Sequence, residues 1–506
     1  MPIMLSSKLL AAAAMIIGSS AIAAAETAEI TYPRTARMSN PLFVDFTSEM
    51  YHRNDTLGTL YTADASGHVW ADGRLYVYAS HDLETARGCD RMDKYHVFST
   101  DDLVNWTDHG QILSSYDVMD QEGWGIEGWM WAPDCAYNPA DSTYYFYFPH
   151  VNKPLPQGGH DWRIGVAKSK NPATGFRLCG FIEGAASYID PCVFVDDDGQ
   201  PYLFNGGGAV CMGGKLRRDD WTKLDGPMVR MEGLNDFHEA TWLNKIEGKY
   251  YLSHSDNHYD ADGNHMRYAV SDSPLGPWTD MGVYMYPTGS ETNHGSLVNF
   301  KGQWYALYHT ANHSGRGNLR SVCIDPIEFK DGRFAIVRNW GEPYGKDIVI
   351  GRGKGKKTRI EAENYNRGGE HYAYHRHLDN TATGNIASRP GDAVSLSRSA
   401  KGETYVTGLK KYEWLRYSVA PKAAGRYDIT LRVAPVSAGE KSRLHLSANG
   451  SILGGNKEGR RELQGEPGVW QTIVLRDVEL PADTEYLDLR VEDGHIDFDR
   501  IDLVQK

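Results

Sequence analysis

Five ionisable side chains recur at a nearly fixed distance ahead of an aromatic strand. Asp64, Asp190 and Glu239 stand 12 residues before Tyr76, Tyr202 and Tyr251, while Asp134 and His294 stand 11 before Tyr145 and Tyr305. The tyrosines lie in DGRLYVY, DSTYYFY, DGQPYLF, EGKYYLS and GQWYALY, each opened by an acidic or Gly turn. Turn residues followed by tight apolar and aromatic alternation read as the second strand of a hairpin. Repetition of the offset means that each copy offers one polar group from an equivalent place. Four carboxyls and an imidazole converging on one pocket suit general acid–base catalysis.

The elements that must position these groups are small repeated sheets. The anchor tyrosines are separated by 69, 57, 49 and 54 residues, somewhat more than a four-stranded propeller blade needs. A second echo, STDDLVNW, SKNPATGF and SDSPLGPW, reads as a turn into an outer strand ending on an aromatic that packs between blades. A β-sandwich also fits alternating apolar text but leaves the five polar positions without a reason. A five-bladed β-propeller, with the polar residues on inner strands beside the channel, is the expected fold. After IVIGRGKGKKTR the composition changes and cysteine disappears; EWLRYSV, RYDITLRVA, RLHLSAN and WQTIVLRDVEL read as strands of a β-sandwich of jelly-roll type. The expected chain is all-β: a signal peptide at 1–25, a propeller at 26–350, a short linker at 351–357 and a sandwich at 358–506.

A chain of 506 residues suits two domains, and 53 glycines with 11% aromatics suit many tight turns. A net charge of −13, with no basic stripe, argues against nucleic acid. Zinc-type Cys/His spacing and phosphate-cradling Gly loops are absent from the sequence. The segment MPIMLSSKLLAAAAMIIGSSAIAAA combines a cation, an apolar core and a small-residue cleavage site, so it reads as a secretory leader. The expected location is secreted or periplasmic. The six cysteines, Cys89, Cys135, Cys179, Cys192, Cys211 and Cys323, form no CxxC, and buried thiols are favoured over disulfides.

Together YTADAS, WAPDC, IDPCVFVDDDG, HEATW and NHGSLV resemble glycoside hydrolase family 43, in order and over about 300 residues. The resemblance implies that Asp64 is the general base, Glu239 the general acid, and Asp190 the third carboxylate that orients the acid and tunes its pKa. It places His294 at the family's central histidine, near which a channel ion, often calcium, is found. It places Arg320 at a substrate-facing arginine, and Trp131 and Asp134 beside the sugar subsite. Trp242 is a further candidate for stacking on sugar. The sequence departs from the family where Ala65, not Pro, follows Asp64, and where about 20 residues separate Asn40-Pro41-Leu42 from Asp64. Asp55 and Asp82 are alternative bases, but neither keeps the offset.

Plainer readings stand beside these. Asp64 and Asp190 can be turn residues, His294 a satisfied core histidine, Asp134 a structural carboxylate, and most tryptophans inter-blade packing. Glu239 is the hardest to explain structurally, because an unpaired buried Glu is costly.

The C-terminal region resembles a family 6 carbohydrate-binding module through IEAENY, EWLRYSV, GVWQTIVL and HIDFDRIDL. That resemblance implies a structural calcium held by Glu361, Glu363 and Asp499. Tyr412, Trp414 and Trp470 are candidate sugar-facing aromatics. Asp497 stands where the family has a ligand-contacting asparagine, so a purely structural appendage remains open. Taken together, the expectation is an exported inverting exo-glycosidase without organic cofactor. It would release α-L-arabinofuranose or β-D-xylose from plant-type polysaccharide, with galactofuranose a further possibility. The rival is a sugar-binding propeller that has lost catalysis.

Overall fold

The computed structural model describes residues 30–38, 40–48, 58–83, 92–119, 128–154, 160–257, 264–311, 313–314, 316–337, 343–368, 372–376, 384–389, 392–455 and 457–506. The expected leader at 1–25, Asp55 and Cys89 lie outside these residues. Residues 32–506 form one compact unit.

Five antiparallel meanders follow one another. The first runs Tyr61–Val69, Leu75–Asp82, Lys94–Thr100, Asn105–Ser114, with Arg34–Arg37 added at its outer edge. The second, third and fourth begin with Asp134–Asn138, Ile189–Val195 and Phe237–Ile246. The fifth has, among the described residues, the strands Ser296–Phe300, Gln303–Thr310 and Ser321–Pro326. Each inner strand packs on the next, and that of the fifth sheet packs back on Tyr61–Val69, which closes a five-bladed propeller. The hairpins turn through Gly73, Gly199, Gly248 and Gly302, all at positive φ, where a side chain would be strained.

The ring is latched by the segment before the first blade. The Asn40 amide donates to the Ile324 carbonyl at 2.8 Å and accepts from its N–H at 2.9 Å, and the Leu42 N–H donates to Val322 O at 2.6 Å. Asn40 and Leu42 therefore satisfy the open edge of blade five. The aromatics of the second echo do pack between blades: Trp106 joins Phe43, Phe98 and Val298, Phe176 joins Tyr78 and Phe146, and Trp278 joins Met231 and Tyr268.

The remaining chain is a two-sheet sandwich around one core. One sheet contains Trp414–Pro421, Tyr486–Asp493 and Ser442–Ala448; the other contains Thr404–Lys410, His495–Gln505, Gly425–Pro435 and Gln471–Leu480. The expected boundary needs correction. Ile348–Ile350 pairs in parallel with Trp414–Pro421, and Ile350 is buried in the sandwich core. The stretch 351–357 therefore connects two strands of the sandwich, since Lys357–Glu361 pairs with His495–Gln505. Cys135, Cys192, Cys211 and Cys323 are buried free thiols, as expected, while Cys179 is free and exposed.

Candidate active site

The register of the hairpins shows which of the five polar positions are equivalent. In blade one, Ala63 pairs with Ser80 and Ser66 with Tyr78, leaving Asp64 and Ala65 in a bulge. In blade three, Ile189 pairs with Gly206 and Cys192 with Phe204, leaving Asp190 and Pro191 in the same bulge. Asp64 and Asp190 have φ of 55° and 54°, an uncommon left-handed conformation that re-aims a strand side chain. In blade four the bulge holds Ala240, with φ of 64°, and Thr241, so Glu239 stands one residue before it. Its matching offset from Tyr251 arises because this hairpin is one residue tighter. Asp134 pairs with Tyr147 beyond the bulge level, at the position of Ser66.

Asp64 is buried, and its hydrogen-bond partners Arg320 and Ser80 favour its charge. Its Oδ1 accepts from Arg320 Nη1 at 2.9 Å, its Oδ2 from the Ser80 hydroxyl at 2.5 Å, and its N–H donates to His309 Nδ1 at 3.2 Å. Burial pushes this carboxyl up, but Arg320, the His309 and His294 rings and Ser80 outweigh it and bring the pKa down to about 2. Because His309 Nδ1 accepts, the ring is neutral and its Nε2–H donates to Thr292 O at 2.7 Å. Burial and Arg320 hold His309 neutral, with a pKa lowered to about 3.

Glu239 is the counterpart. Its side chain is 15% exposed, and His238 Nε2 lies 3.4 Å from its Oε2. Burial first, then the Asp190 and Asp64 charges, push its pKa up to about 8 against the pull of His294 and Arg320. Asp190 accepts the N–H of Ala240 at 2.8 Å and lies 3.4 Å from His294 Nδ1. It thus ties down the residue following Glu239 and adds to burial the charge that raises the Glu239 pKa. His294 is pulled down by burial, yet Asp190 wins and its pKa is raised.

Arg320 is almost wholly buried, with its Nε and Nη2 on Asp82 and its Nη1 on Asp64. The expected substrate-facing arginine is therefore a clamp between two carboxylates. Asp82, weighed as an alternative base, has both oxygens on Arg320 and is buried, which removes it from that role.

Two expected sugar-binding residues lie elsewhere. Asp134 is fully buried; it accepts from the N–H groups of Cys135 at 2.7 Å and Val193 at 2.6 Å and contacts His68 Nε2 at 2.7 Å. These bonds join three blades and leave the carboxylate no route to sugar. Trp242 is buried, donates Nε1–H to Leu297 O at 3.0 Å, and packs its ring 5.1 Å from His68. Both line a cavity of about 620 Å³ further along the inner strands, at the other end of the channel from the bulges. The strand rise explains this: Asp134 and Trp242 occupy the first position past the two-residue bulge, where the side chain has already left the level of Asp64 and Asp190. Trp131 is half-buried in a cluster with Trp129 and Trp162, and its carbonyl accepts from Tyr95, whose hydroxyl lies in the field of Asp64 and Asp190.

Ser80 and His309 were missed in the sequence. Each stands four residues after its anchor tyrosine, on the strand facing the bulge, so the repeat itself carries the signal.

Metal ligation is not assembled. Among the described residues, no three His, Cys, Asp or Glu converge at metal-binding distance. His294 is engaged with Asp190. In the sandwich, Asp499 meets Arg432 at 2.8 Å and Arg500, while Glu361 and Glu363 lie near it electrostatically.

Residues 59–334 match the family model described as glycosyl hydrolases family 43. The chain belongs to this family. A xylosidase/arabinosidase 43A of Humicola insolens is 35% identical over 336 residues, which cover 55% of this chain and 97% of the relative. A xylosidase/arabinosidase of Bacteroides ovatus is 32% identical over 335 residues, covering 56% and 96%. Among solved structures, CoXyl43, a family 43 β-xylosidase/α-arabinofuranosidase from a compost metagenome, is 30% identical with a TM-score of 0.49, covering 60% of this chain and 98% of that one. Residues 382–502 match the model of carbohydrate binding module (family 35), which replaces the expected family 6.

Proposed function

We propose that this family 43 glycoside hydrolase is an inverting exo-glycosidase that releases α-L-arabinofuranose or β-D-xylose from arabinoxylan-type polysaccharide or its oligosaccharides. The observation that carries it is that two buried carboxyls close enough to feel each other's charge are driven to opposite protonation states. Asp64, clamped by Arg320, His309 and Ser80, stays ionised and takes the proton of the attacking water. Glu239, kept protonated by burial and by Asp190, gives its proton to the leaving oxygen. Asp190 positions the acid through the Ala240 N–H, and Trp131 walls the sugar subsite. The Humicola and Bacteroides relatives, both named for xylosidase and arabinosidase activity, support these two sugars.

The test is to incubate the protein with aryl α-L-arabinofuranoside, β-D-xyloside and β-D-galactofuranoside and with arabinoxylan, following the first-formed anomer by NMR. Release of arabinose or xylose with inverted configuration is expected. Binding without release from any of these would sink the hydrolase reading, and a retained anomer would sink the inverting one.

Export through the leader at 1–25 belongs to the same reading, and the N-terminus of the protein recovered outside the cytoplasm tests it. Calcium is a separate proposal, confined to the sandwich. Glu363 Oε2 is buried without a hydrogen-bond partner, and burial together with Glu361 and Asp499 raises its pKa. Glu361, Glu363 and Asp499 would hold the ion, which would supply charge neutralisation and rigidity rather than chemistry. Asp499 would first have to release Arg432 and Arg500. A rise in melting temperature with added calcium, lost on Glu363→Gln, is the expected result.

A further inference from the structure

Blade four is joined to blade five by residues 286–295, between Thr279–Met285 and Ser296–Phe300, and no part of this stretch is a strand. It nevertheless carries two residues of the catalytic level. The Thr292 carbonyl accepts His309 Nε2–H at 2.7 Å, and His294 Nδ1 lies 3.4 Å from Asp190. Between them stands Asn293, fully buried. A stretch without ladder bonds keeps its shape through side chains and packing, so those contacts decide where Thr292 and His294 sit.

Thr288 and Asn293 hold the stretch from inside. The Thr288 hydroxyl lies 2.6 Å from His309 O and 2.8 Å from Asn293 Oδ1, so its one hydrogen is shared between them. The Thr288 carbonyl accepts the Thr310 hydroxyl at 2.9 Å. Asn293 Nδ2 donates to Asn264 O at 2.5 Å, and the Ser290 hydroxyl donates to Thr292 O at 2.7 Å. His309 is thus gripped twice, at its carbonyl by Thr288 and at its ring by Thr292. The same ring accepts the Asp64 N–H, and Thr292 Oγ1 lies 3.4 Å from Arg320 Nη1, the nitrogen that clamps Asp64.

The other side of the stretch leans on the sandwich. Tyr286 of the propeller and Tyr486 of the sandwich form a small buried cluster, with Val283 and Ile336 packed against it. The next residue, Pro287, lies against Gly450, where a β-carbon would come within 3.1 Å of the proline ring. Gly450 has φ of 81°, so glycine serves both the turn and the close approach. That turn is itself fixed: Asn449 Oδ1 accepts the Glu485 N–H at 2.9 Å, and its Nδ2 donates to Asp483 O at 2.9 Å. Thr288 follows Pro287 directly. The contact with the sandwich and the contact with His309 are therefore one peptide apart, across a residue whose φ is locked.

We propose that Thr288 and Asn293 are positioning residues for the catalytic base, and that the sandwich braces them through Tyr486 and Gly450. The sandwich is then part of the catalytic scaffold, whatever it binds. The proposal rests on the hydrolase reading only for the reaction whose rate it alters; the hold of His309 on Asp64 can be followed without turnover.

Thr288→Val keeps the side-chain shape and removes the hydroxyl. On an aryl glycoside it is expected to lower kcat about tenfold with KM within about twofold, since Thr288 touches His309 and not sugar. Thr288→Ser, which keeps the hydroxyl, should restore native kcat. Tyr486→Leu, on the sandwich, should lower kcat about threefold, again at native KM. Hydrogen exchange at the Asp64 amide, read by mass spectrometry, should speed up at least about threefold in both Thr288→Val and Tyr486→Leu. Melting curves show which variants are folded, and Asn293→Ser gives the same test should Thr288→Val fail to fold. Native kcat and native Asp64 exchange in folded Thr288→Val would overturn the proposal. A raised KM at native kcat would overturn it too, by making Thr288 a substrate contact. Losses in Thr288→Val with none in folded Tyr486→Leu would overturn the part given to the sandwich. Faster Asp64 exchange in the variants of a protein that cleaves no glycoside would sink the hydrolase reading and leave the brace standing.

Discussion

Asp82 grips Arg320 through three donors: Nε and Nη2 at 2.9 Å, and the arginine's own backbone N–H at 2.8 Å. The guanidinium is thereby fixed with Nη1 left to reach Asp64. Both partners are buried, so the pair's value lies in geometry more than in net stability. Asp82→Asn should lower kcat/KM by roughly 10- to 100-fold through misplacement of the base. Asp82→Ala should be worse, since the amide retains one acceptor for the fork. A folded Asp82→Ala enzyme with native kcat/KM would show that Arg320 positions nothing.

Glu239→Gln removes the proton donor and keeps the shape. On arabinoxylan the loss should be about 10²–10⁴-fold. On an aryl glycoside whose phenol leaves without help, the loss should be much smaller. Comparable losses on both substrates would argue against an acid role. The same substitution should also stabilise the protein. Because folding raises the pKa of Glu239 to about 8, the folded state loses stability as pH rises from the ordinary carboxylate range toward 8. At pH 7 the variant should therefore melt at least roughly 2 °C higher than the native protein, and a lower melting temperature would contradict the burial argument.

The pH dependence of kcat/KM on the natural polymer should be one-sided over the usable range. Activity requires Asp64 ionised and Glu239 protonated. The alkaline limb should fall with an apparent pKa near 8, and the acid limb should lie near 2, outside the range of ordinary assays. Asp64 has a depressed folded pKa, so its contribution to stability is present above the ordinary carboxylate range and is lost as pH falls toward 2. A bell with an acid limb near 5 would mean that another group serves as base.

The repeat made the propeller, its five blades and the three central carboxyls legible, because tyrosine anchors and turn glycines mark each hairpin. It did not reveal the bulges. The offset treats residues as beads, whereas one extra residue in a strand turns the next side chain to another face. Asp64 and Asp190 share a bulge; Glu239 reaches the same pocket from before one; Asp134 and Trp242 lie past it and serve the channel wall. The roles of Asp82 and His309 depend on contacts more than 200 residues apart, which no local pattern encodes. The sandwich boundary was misplaced for a similar reason. Ile348–Ile350 has no local mark distinguishing a last propeller strand from a first sandwich strand, and its partner, Trp414–Pro421, lies far downstream.

Closure of the propeller predicts a stability effect separable from catalysis. The Asn40 side chain both donates to and accepts from the Ile324 backbone, replacing two ladder bonds of the open edge in blade five. Asn40→Ala removes both and leaves a partly buried N–H and C=O with lost partners, a cost of about 1–3 kcal/mol. Unfolding should begin at the junction of blades one and five, so the variant should melt earlier and expose Cys323, buried in the last strand, to a thiol reagent faster than native protein. The catalytic level is held by Arg320, Ser80 and His309 rather than by the latch, so kcat/KM at 25 °C should stay within about twofold. A matched loss of activity and stability would instead show that the latch sets the distance between Asp64 and Glu239. Unchanged melting and unchanged Cys323 labelling would show that the ring holds without it.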